Sequence, residues 1–236
     1  MIKIGLIPAR SGSTRLKNKN ISLLANRPLI YWTVKTAIKS KCFDKIIFSS
    51  DSIKYFNILL KYLKYDKIDT SLVEFDFRKK KFATNKSKIF DYIKTGFINK
   101  FNLNNNDLIV LMLPTCPLRS IKTIKRSIEL SLKKKRNTFS VTKYNFHISF
   151  AIRILKNSWN TLIKNSPLLT GKTQGQNQKI YYHPTGLVNC LYVKILKKKY
   201  KSIYYDSIPL IVNQNESIDI DTKEDFELVS NILKRK

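Results

Sequence analysis

Cations, hydroxyl groups and a glycine are concentrated in a loop that follows the first apolar run of the chain. After the apolar residues 4–7 and Pro8, the sequence reads ARSGSTRLKNKN, which contains no acidic residue. Guanidinium and ammonium groups, hydroxyls and backbone N–H groups in one place are the groups that hold phosphate oxygens. The loop lacks the GxxxxGK[ST] pattern of a P-loop. By itself it fits a phosphate site or a solvated basic loop equally well.

Two aspartates near the other end of the chain could hold a metal ion. Asp219 and Asp221 stand two apart in SIDIDT, so on an extended segment both carboxylates point the same way. Like charges this close repel unless a cation lies between them, and Mg²⁺ accepts one or two carboxylates while it bridges to substrate phosphates. The simpler interpretation is a helix start, because Thr222 and Asp225 have the spacing of a capping box. Capping explains those two residues and does not require Asp219.

A third motif, PTCPLR at residues 114–119, follows a buried apolar run. Its two prolines fix the backbone, and Arg119 stands near the start of the next helix, so the motif also fits a rigid structural turn. Taken together, the three motifs put phosphate-holding cations at one strand end and a carboxylate pair at another. That combination is what a phosphoryl or nucleotidyl transferase needs.

The segments that must position these motifs alternate between strand-like and helix-like patterns. This alternation predicts an α/β fold, with a mostly parallel sheet and helices on both faces. In such sheets ligands bind beyond the carboxyl ends of the strands, which points to the loops after Ile7, Phe48 and Leu113. The sequence SSD at residues 49–51 is expected to cap the next helix. The predicted strands are 2–7, 45–48, 72–75, 108–113, 139–142, 186–194 and 208–212, and the predicted helices are 29–39, 53–63, 87–100, 121–135 and 226–233.

One long stretch of the second half breaks this alternation. Residues 143–184 are irregular and in part strongly polar, and regular patterns resume after them. We therefore expect a single domain, 1–236, in which residues 143–184 form an insertion. Such an insertion could serve as an arm that pairs with a second copy of the chain.

The net charge of +29 at pH 7 is the most extreme feature of the composition. Such a charge is typical of proteins that bind nucleic acid or another polyanion. Lysine is spread along the whole chain, however, and no nucleic-acid-binding motif accompanies it, which favours a drift in composition. The three scattered cysteines match no zinc site and no complete disulfide set, and no apolar run reaches the length of a membrane span. We therefore expect a cytoplasmic protein with neither a membrane nor a nucleic-acid partner.

The same motifs, in this order, carry a family resemblance. IPARSGSTRLKNKN followed by RPLIYWTVKTAIKSKCFDKIIFSSD resembles the start of the CMP-N-acetylneuraminate synthetase family of cytidylyltransferases. PTCPLR is similar to P-T-S-P-L-R of that family, and SIDIDT to its D-S-I-D-I-D-T. The resemblance spans nearly the whole chain and is weakest between residues 143 and 184. The pairs Lys19-Asn20 and Trp32-Thr33 are typical of the neuraminate branch rather than of CMP-Kdo synthetases.

The resemblance implies a Rossmann-like nucleotidyltransferase fold, with a small dimerisation insertion, and a reaction. The anomeric hydroxyl of a 2-keto-3-deoxy sugar acid would attack the α-phosphorus of CTP, so that CMP-sugar forms and pyrophosphate leaves. Such enzymes use Mg²⁺ and are usually homodimers, in which an arm from each subunit reaches the site of the other.

The motif matches also imply residue roles. Arg119 would orient its loop rather than touch substrate. Asp219 and Asp221 would hold Mg²⁺, and Asp221 would help to deprotonate the sugar hydroxyl. Catalysis is assigned to Arg10, Lys19 and Asp221, CTP binding to Arg10, Ser11, Gly12, Ser13, Lys19, Asn20 and Ser87, and sugar binding to Gln176, His183 and Thr185.

Several positions depart from the family pattern, mostly on the sugar side. Leu113 stands where sialate enzymes often have Gln, Asn85 where Asp is frequent, and His183 where Arg is usual. TQGQ, at residues 173–176, is similar to an Arg-Arg-Gln stretch but contains Gly175 and no arginine. These departures leave the expected use of CTP unchanged. The identity of the sugar acid stays open among N-acetylneuraminate, legionaminate and other nonulosonates. The alternatives are a different acceptor, such as Kdo or an alditol phosphate, and a polyanion-binding homologue that has lost catalysis.

Overall fold

Seven strand segments join in one sheet of the computed structural model, which describes residues 1–13, 16–198 and 202–235. Thr14 and Arg15 of the basic loop lie outside the described residues. The strands are β1 (Lys3–Pro8), β2 (Leu23–Leu24), β3 (Arg27–Pro28), β4 (Lys45–Ser50), β5 (Val73–Phe77), β6 (Leu108–Leu111), β7 (Asn137–Lys143), β8 (Ile152–Ile154), β9 (Trp159–Thr161), β10 (Tyr182–Tyr192) and β11 (Ser207–Ile211). The α-helices are α1 (Leu29–Ser40), α2 (Ile53–Tyr65), α3 (Ile89–Tyr92), α4 (Ile98–Lys100), α5 (Ile121–Lys134), α6 (Pro167–Thr170), α7 (Val193–Leu196) and α8 (Lys223–Lys234).

The main sheet has the strand order β11-β7-β10-β6-β1-β4-β5. Neighbouring strands are parallel except around β10, which runs antiparallel to both β6 and β7. The predicted α/β fold with a mostly parallel sheet is therefore confirmed. Every residue of β6 is buried, as its unbroken run of Leu, Ile and Val predicts for a strand covered on both faces.

Helices cover both faces of this sheet. On one face α1, α2 and α5 pack through residues such as Val34, Leu59 and Ile124. The other face is covered by residues 89–100 and α7, with Phe97 among the fully buried side chains. None of the helices in the described ranges is long and apolar enough to cross a membrane. A third cluster attaches α8 to the β2–β3 hairpin and contains Leu24, Leu29, Leu118, Ile220 and Val229.

Most element ends lie within a few residues of the sequence expectations; β10 begins at Tyr182 instead of residue 186, and α8 at Lys223 instead of residue 226. Three further differences change the kind of local structure. The helix α2 begins after Ser52 without a side-chain cap, and the carboxylate of Asp51 bonds elsewhere, so the expected cap is wrong. Residues 193–194 leave the expected strand and start α7, because their N–H groups bond to carbonyls in the turn before β6. The expected helix over 87–100 begins at Ile89 and contains a π-helical turn, Ile93–Phe97, between α3 and α4.

Residues 144–181 form an excursion from the sheet between β7 and β10. The two strands pair up to Lys143 and Tyr182, where the excursion leaves them. Its regular elements are short: β8 and β9 pair with each other, and α6 is a single turn. Large apolar side chains are unusually exposed here, among them Phe146, Ile154, Trp159, Leu162, Leu169 and Ile180.

Candidate active site

The carboxyl ends of β1, β5 and β6 open onto a cavity of about 330 Å³. This is the edge at which open parallel sheets bind ligands. The cavity is lined by six of the residues that the sequence analysis proposed for nucleotide or metal binding. Three others, Ser11, Gly12 and Asp219, are not part of the lining. The lining consists of Pro8, Arg10, Ser13, Leu16, Lys19, Asn20, Arg78, Phe82, Thr84, Asn85, Ser87, Ile89, Leu113, Pro114, Thr115 and Asp221.

The basic loop is held in place by a carboxylate at the end of the neighbouring strand. The backbone N–H and the hydroxyl of Ser11 donate to Asp51, at 2.8 and 2.7 Å. The hydroxyl of Tyr55 donates to the carbonyl of Ser11 at 3.2 Å, and burial raises the pKa of this tyrosine, so it stays a donor. Asn20 is buried and donates to the carbonyl of Arg10 at 2.9 Å. Ser11 therefore shapes the loop, while Arg10 and Asn20 face the cavity.

Two side chains connect the basic loop to the loop that follows β5. The guanidinium of Arg10 donates to the side-chain carbonyl of Asn85. Ser87 lines the cavity, but its hydroxyl donates to the carbonyl of Lys81 at 2.7 Å and lies 2.6 Å from the hydroxyl of Thr84. Ser87 thus organises the loop on which Asn85 is carried, and it forms part of the cavity wall.

Lys19 joins the basic loop to the SIDIDT segment. Its Nζ donates to the carbonyl of Ile220 at 2.5 Å and lies 3.2 Å from Oδ1 of Asp221. Ile220 in turn donates its N–H to the carbonyl of Thr115 at 2.8 Å. The three sequence motifs are therefore connected in space at one wall of the cavity.

The two aspartates proposed for Mg²⁺ differ in environment. Asp221 is half-buried and lines the cavity, whereas Asp219 is exposed and lies outside its lining. No group of three or more His, Cys, Asp or Glu side chains with metal-binding geometry occurs within the described ranges. One or two carboxylates beside a phosphate site is nonetheless a donor set that suits Mg²⁺, which takes its other ligands from phosphates and water. The predicted capping box is confirmed: Thr222 accepts from Asp225 N, and the Asp225 carboxylate accepts from Thr222 N.

Arg119 is buried, lies outside the cavity lining and bonds mainly to backbone carbonyls. It donates to Leu113 O at 2.9 Å, to Gly186 O at 3.1 Å and to the hydroxyl of Thr33 at 2.9 Å, and it also bonds to Leu187 O. Burial lowers the pKa of this guanidinium to about 10. A Cβ on Gly186 would lie 2.8 Å from Leu113 Cδ1 and 3.1 Å from Cys116 Sγ, so a larger residue on β10 here would have to displace these side chains. Arg119 fixes the Pro114–Thr115 wall against β10, in agreement with the orienting role expected for it.

The residues proposed for sugar binding lie outside this cavity. Gln176 is exposed in the excursion, on a single turn at Gly175–Asn177. His183 Nδ1 lies 3.1 Å from the carbonyl of Pro184, and its ring is 4.7 Å from that of Tyr144. Thr185 donates its hydroxyl to Ser140 at 2.7 Å. Within one chain, these side chains are not brought together with Lys19 or Asp221.

Arg78 is a site residue that the sequence reasoning missed. It directly follows β5, lines the cavity, and is only 4% exposed. Its Nε–H is buried and has no hydrogen-bond partner among the described residues. Burial lowers the pKa of Arg78, with the Asp51 carboxylate acting in the opposite direction. The sequence signal was weak, because this arginine opens the run RKKK and nothing in the run distinguishes the buried cation from solvated ones.

The charges at the cavity select its ligand class. Arg10, Lys19 and Arg78 line it, against the single carboxylate of Asp221 among the described lining residues. A surplus of fixed cations in a concave site at the edge of a parallel sheet attracts a compact polyanion such as a nucleoside triphosphate. This fold and this charge arrangement are typical of nucleotide-binding α/β proteins of the nucleotidyltransferase type.

Sequence comparisons identify the family. A family model described as cytidylyltransferase matches residues 4–185. The chain is 31% identical to an N-acylneuraminate cytidylyltransferase of Escherichia coli, over 99% of this chain and 52% of that protein. It is 30% identical to a CMP-N,N'-diacetyllegionaminic acid synthase of Legionella pneumophila, over 98% of this chain and 95% of that protein. The chain therefore belongs to the cytidylyltransferase family, and the resemblance seen in its motifs is confirmed. This chain spans about half the length of the Escherichia coli relative.

Solved structures show the same fold. CMP:2-keto-3-deoxy-manno-octonic acid synthetase complexed with CTP superposes with a TM-score of 0.67 at 10% identity, over 100% of this chain and 99% of that one. A 4-diphosphocytidyl-2C-methyl-D-erythritol synthase from Anaerococcus prevotii also gives a TM-score of 0.67, at 15% identity, over 99% of this chain and 96% of that one. At these identities the likeness establishes the nucleotidyltransferase fold.

Proposed function

We propose that this chain transfers CMP from CTP to a 2-keto-3-deoxy sugar acid of the nonulosonate class, with release of pyrophosphate. The observation that carries the proposal is the meeting of Lys19 and Asp221 at the wall of a cation-lined cavity in a cytidylyltransferase fold. The reaction forms a bond between the anomeric oxygen and the α-phosphorus. It breaks the bond from the α-phosphorus to the oxygen that leaves with pyrophosphate.

The cations of the cavity act on the triphosphate. Arg10 and Lys19 bind phosphate oxygens and stabilise the negative charge that grows on the leaving pyrophosphate, because fixed cations need no reorganisation during the reaction. Arg78 donates its Nε–H, which has no hydrogen-bond partner in the described part of the chain, to an oxygen acceptor of the bound nucleotide. Ser13 and Asn20 complete the loop that surrounds the phosphates.

Asp219 and Asp221 are the residues that would hold Mg²⁺. When bound, the ion supplies neutralisation of phosphate charge and a lower pKa for a hydroxyl that approaches it. Asp221, which faces the cavity, accepts the proton of the sugar hydroxyl at a carboxylate oxygen. Lys19 orients this carboxylate through their 3.2 Å contact.

The names of the relatives support the acceptor class. The relatives are named as cytidylyltransferases or CMP-sugar synthases of N-acylneuraminate, of N,N'-diacetyllegionaminic acid and, in Helicobacter pylori and Campylobacter jejuni, of pseudaminic acid. We propose an acid of this group for the chain, and the departures at Leu113, Gly175 and His183 leave the member open.

We further propose a homodimer in which the arm, residues 143–184, reaches the partner subunit. Its support is the set of exposed apolar side chains on the excursion, such as Phe146, Trp159 and Leu169, which a second copy would cover. It also accounts for the distance of Gln176 and His183 from the cavity of their own chain. We place the reaction in the cytoplasm, since Cys42, Cys116 and Cys190 are free thiols.

The test is an acceptor panel. Purified protein is incubated with CTP, Mg²⁺ and one acid at a time: N-acetylneuraminate, N,N'-diacetyllegionaminate, pseudaminate or Kdo. Pyrophosphate and the CMP-sugar are then measured by mass spectrometry. Turnover with one of the first three acids supports the proposal. Turnover with Kdo alone would show that the acceptor is not a nonulosonate. If the protein turns over none of the acids and does not bind CTP, the polyanion-binding homologue is favoured instead.

A further inference from the structure

A fully buried carboxylate lies behind the nucleotide cavity. Asp76, near the end of β5, is 0% exposed and is not part of the cavity lining. Its Oδ2 accepts from the hydroxyl of Ser49 at 2.6 Å and from the hydroxyl of Tyr92 at 2.7 Å, and its Oδ1 accepts from Lys100 Nζ at 2.6 Å. A buried charge is costly unless it is paired and hydrogen-bonded, and here both carboxylate oxygens are satisfied. The proposed reaction gives this network no role.

The Tyr92 ring packs against an irregular turn of its own helix. The π-helical turn Ile93–Phe97 begins directly after Tyr92. Within that turn, a Cβ on Gly96 would lie 2.9 Å from Cε2 of Tyr92, closer than such contacts occur, so glycine makes room for the ring. Phe82, which lines the cavity, contacts the ring from another side at a centroid distance of 5.1 Å. Tyr92 is thus fixed at its hydroxyl, by Asp76, and along its ring.

Arg78 lies against this fixed ring. Asp76 and Arg78 are two apart, so their side chains lie on the same side of the chain, while Phe77 between them is exposed. The Arg78 Cζ is 6.0 Å from the centroid of the Tyr92 ring, within the range of a cation–π contact. The Asp76 carboxylate adds a favourable charge nearby. The Arg78 side chain, whose Nε–H has no partner among the residues that the structure describes, therefore lies against a Tyr92 ring whose hydroxyl is held by a buried carboxylate.

We propose that Asp76 and Tyr92 are positioning residues, which hold the guanidinium of Arg78 ready for an oxygen of the bound nucleotide. The proposal rests on the CTP site of the proposed function and deepens it. Asp76 holds the Tyr92 hydroxyl, Phe82 packs against the ring in the space that Gly96 leaves for it, and the ring positions Arg78. A guanidinium held in place before binding loses less rotamer entropy when CTP arrives.

The experiment is a double-mutant cycle on CTP affinity, measured by isothermal titration calorimetry. Arg78→Ala is expected to weaken CTP binding at least about tenfold, as the loss of a charged hydrogen bond does. Tyr92→Phe keeps the ring and removes its bond to Asp76, and we expect about a fivefold loss of affinity. In the Arg78→Ala background the same Tyr92→Phe change should have no further effect. A merely structural role of Tyr92 would instead give additive losses.

Tyr31→Phe is a matched control. Tyr31 is buried, and its hydroxyl also donates to a carboxylate, that of Asp66, but it does not line the cavity. It should lower thermal stability to a similar extent as Tyr92→Phe and leave CTP affinity unchanged. If Tyr92→Phe does not fold, Asp76→Asn, which preserves side-chain shape, takes its place in the cycle.

The outcomes separate the two claims. Additive losses in the cycle would overturn the positioning role, and so would equal losses of CTP affinity in the Tyr31→Phe and Tyr92→Phe proteins. In either case, CTP binding by the unaltered protein would still support the proposed function. Unaltered protein that does not bind CTP would overturn both.

Discussion

Lys19 Nζ lies 3.2 Å from Oδ1 of Asp221, although the two residues are 202 positions apart in the chain. The contact brings a cation of the first βα loop to a carboxylate that precedes the last helix. The neighbouring bond from Ile220 N to Thr115 O adds the loop after β6 to the same wall. A cation of the kind that binds phosphate and a carboxylate of the kind that binds a metal thus share one edge of the cavity, which is the arrangement that the proposed nucleotidyl transfer requires.

Replacing Asp221 tests the acid–base and metal side of the site. Asp221→Asn removes the charge and preserves the shape, and we expect turnover to fall at least about a hundredfold, the scale of one well-placed transition-state group. Thermal unfolding should change little, because Asp221 is half-buried at a loop. Asp206→Asn, which removes a surface ion pair with Arg136, is the control and should keep full turnover. Near-normal turnover of the Asp221→Asn protein would exclude the metal assignment.

Replacing Lys19 tests the phosphate side. Lys19→Met keeps most of the aliphatic stem and removes the ammonium that contacts Ile220 O and Asp221. We expect kcat/KM for CTP to fall about a hundredfold, since a preorganised cation at the developing charge is lost. Lys17→Met, two positions away on an exposed side chain, is the matched control. Equal kinetics for the two variants would show that the loop is only a solvated basic segment.

The Arg119 side chain should matter for stability and not for chemistry directly. Arg119→Met removes the charged hydrogen bonds to the carbonyls of Leu113, Gly186 and Leu187, and we expect a loss of about 3 kcal/mol in the free energy of unfolding. Arg126→Met, on the exposed side of α5, should be within about 0.5 kcal/mol of the unaltered protein. Urea denaturation followed by circular dichroism measures both. A loss below about 1 kcal/mol in Arg119→Met would contradict the bracing role.

An acid-sensitive contribution to stability is expected at the β2–β3 hairpin. Arg27 Nε donates to Asp66 at 2.8 Å, and this hydrogen bond, with a further one from Tyr31, lowers the pKa of Asp66 to about 2. A carboxylate with a lowered pKa stabilises the fold above its unfolded pKa of about 4, and the contribution is lost as the pH falls towards 2. We expect about 1 kcal/mol, because both side chains are partly exposed. Asp66→Asn should flatten the stability profile between pH 4 and 2, and an unchanged profile would refute the assignment.

The alternating strand and helix patterns predicted the parallel sheet and the edge at which the site lies. They could do so because burial on both faces leaves an apolar run, such as that of β6, in the sequence. Arg78 and Asp51 show where this reasoning ends. Arg78 stands in a run of lysines, and its burial comes from packing that residue types do not reveal. Asp51 has the local pattern of a helix cap, but its carboxylate bonds across to Ser11 from another loop. The sugar residues are harder still, because their proposed partners belong to a second copy.

The most direct measurement follows the α-phosphorus itself. CTP labelled with ³²P at the α position is incubated with the protein, Mg²⁺ and a nonulosonate acid, and the products are separated by thin-layer chromatography. We predict that the label appears in a CMP-sugar, with one pyrophosphate released for each, and that the Asp221→Asn protein forms almost none. Label that stays in CTP with every acid, or that appears in free CMP whether or not an acid is present, would contradict transfer to a sugar acid.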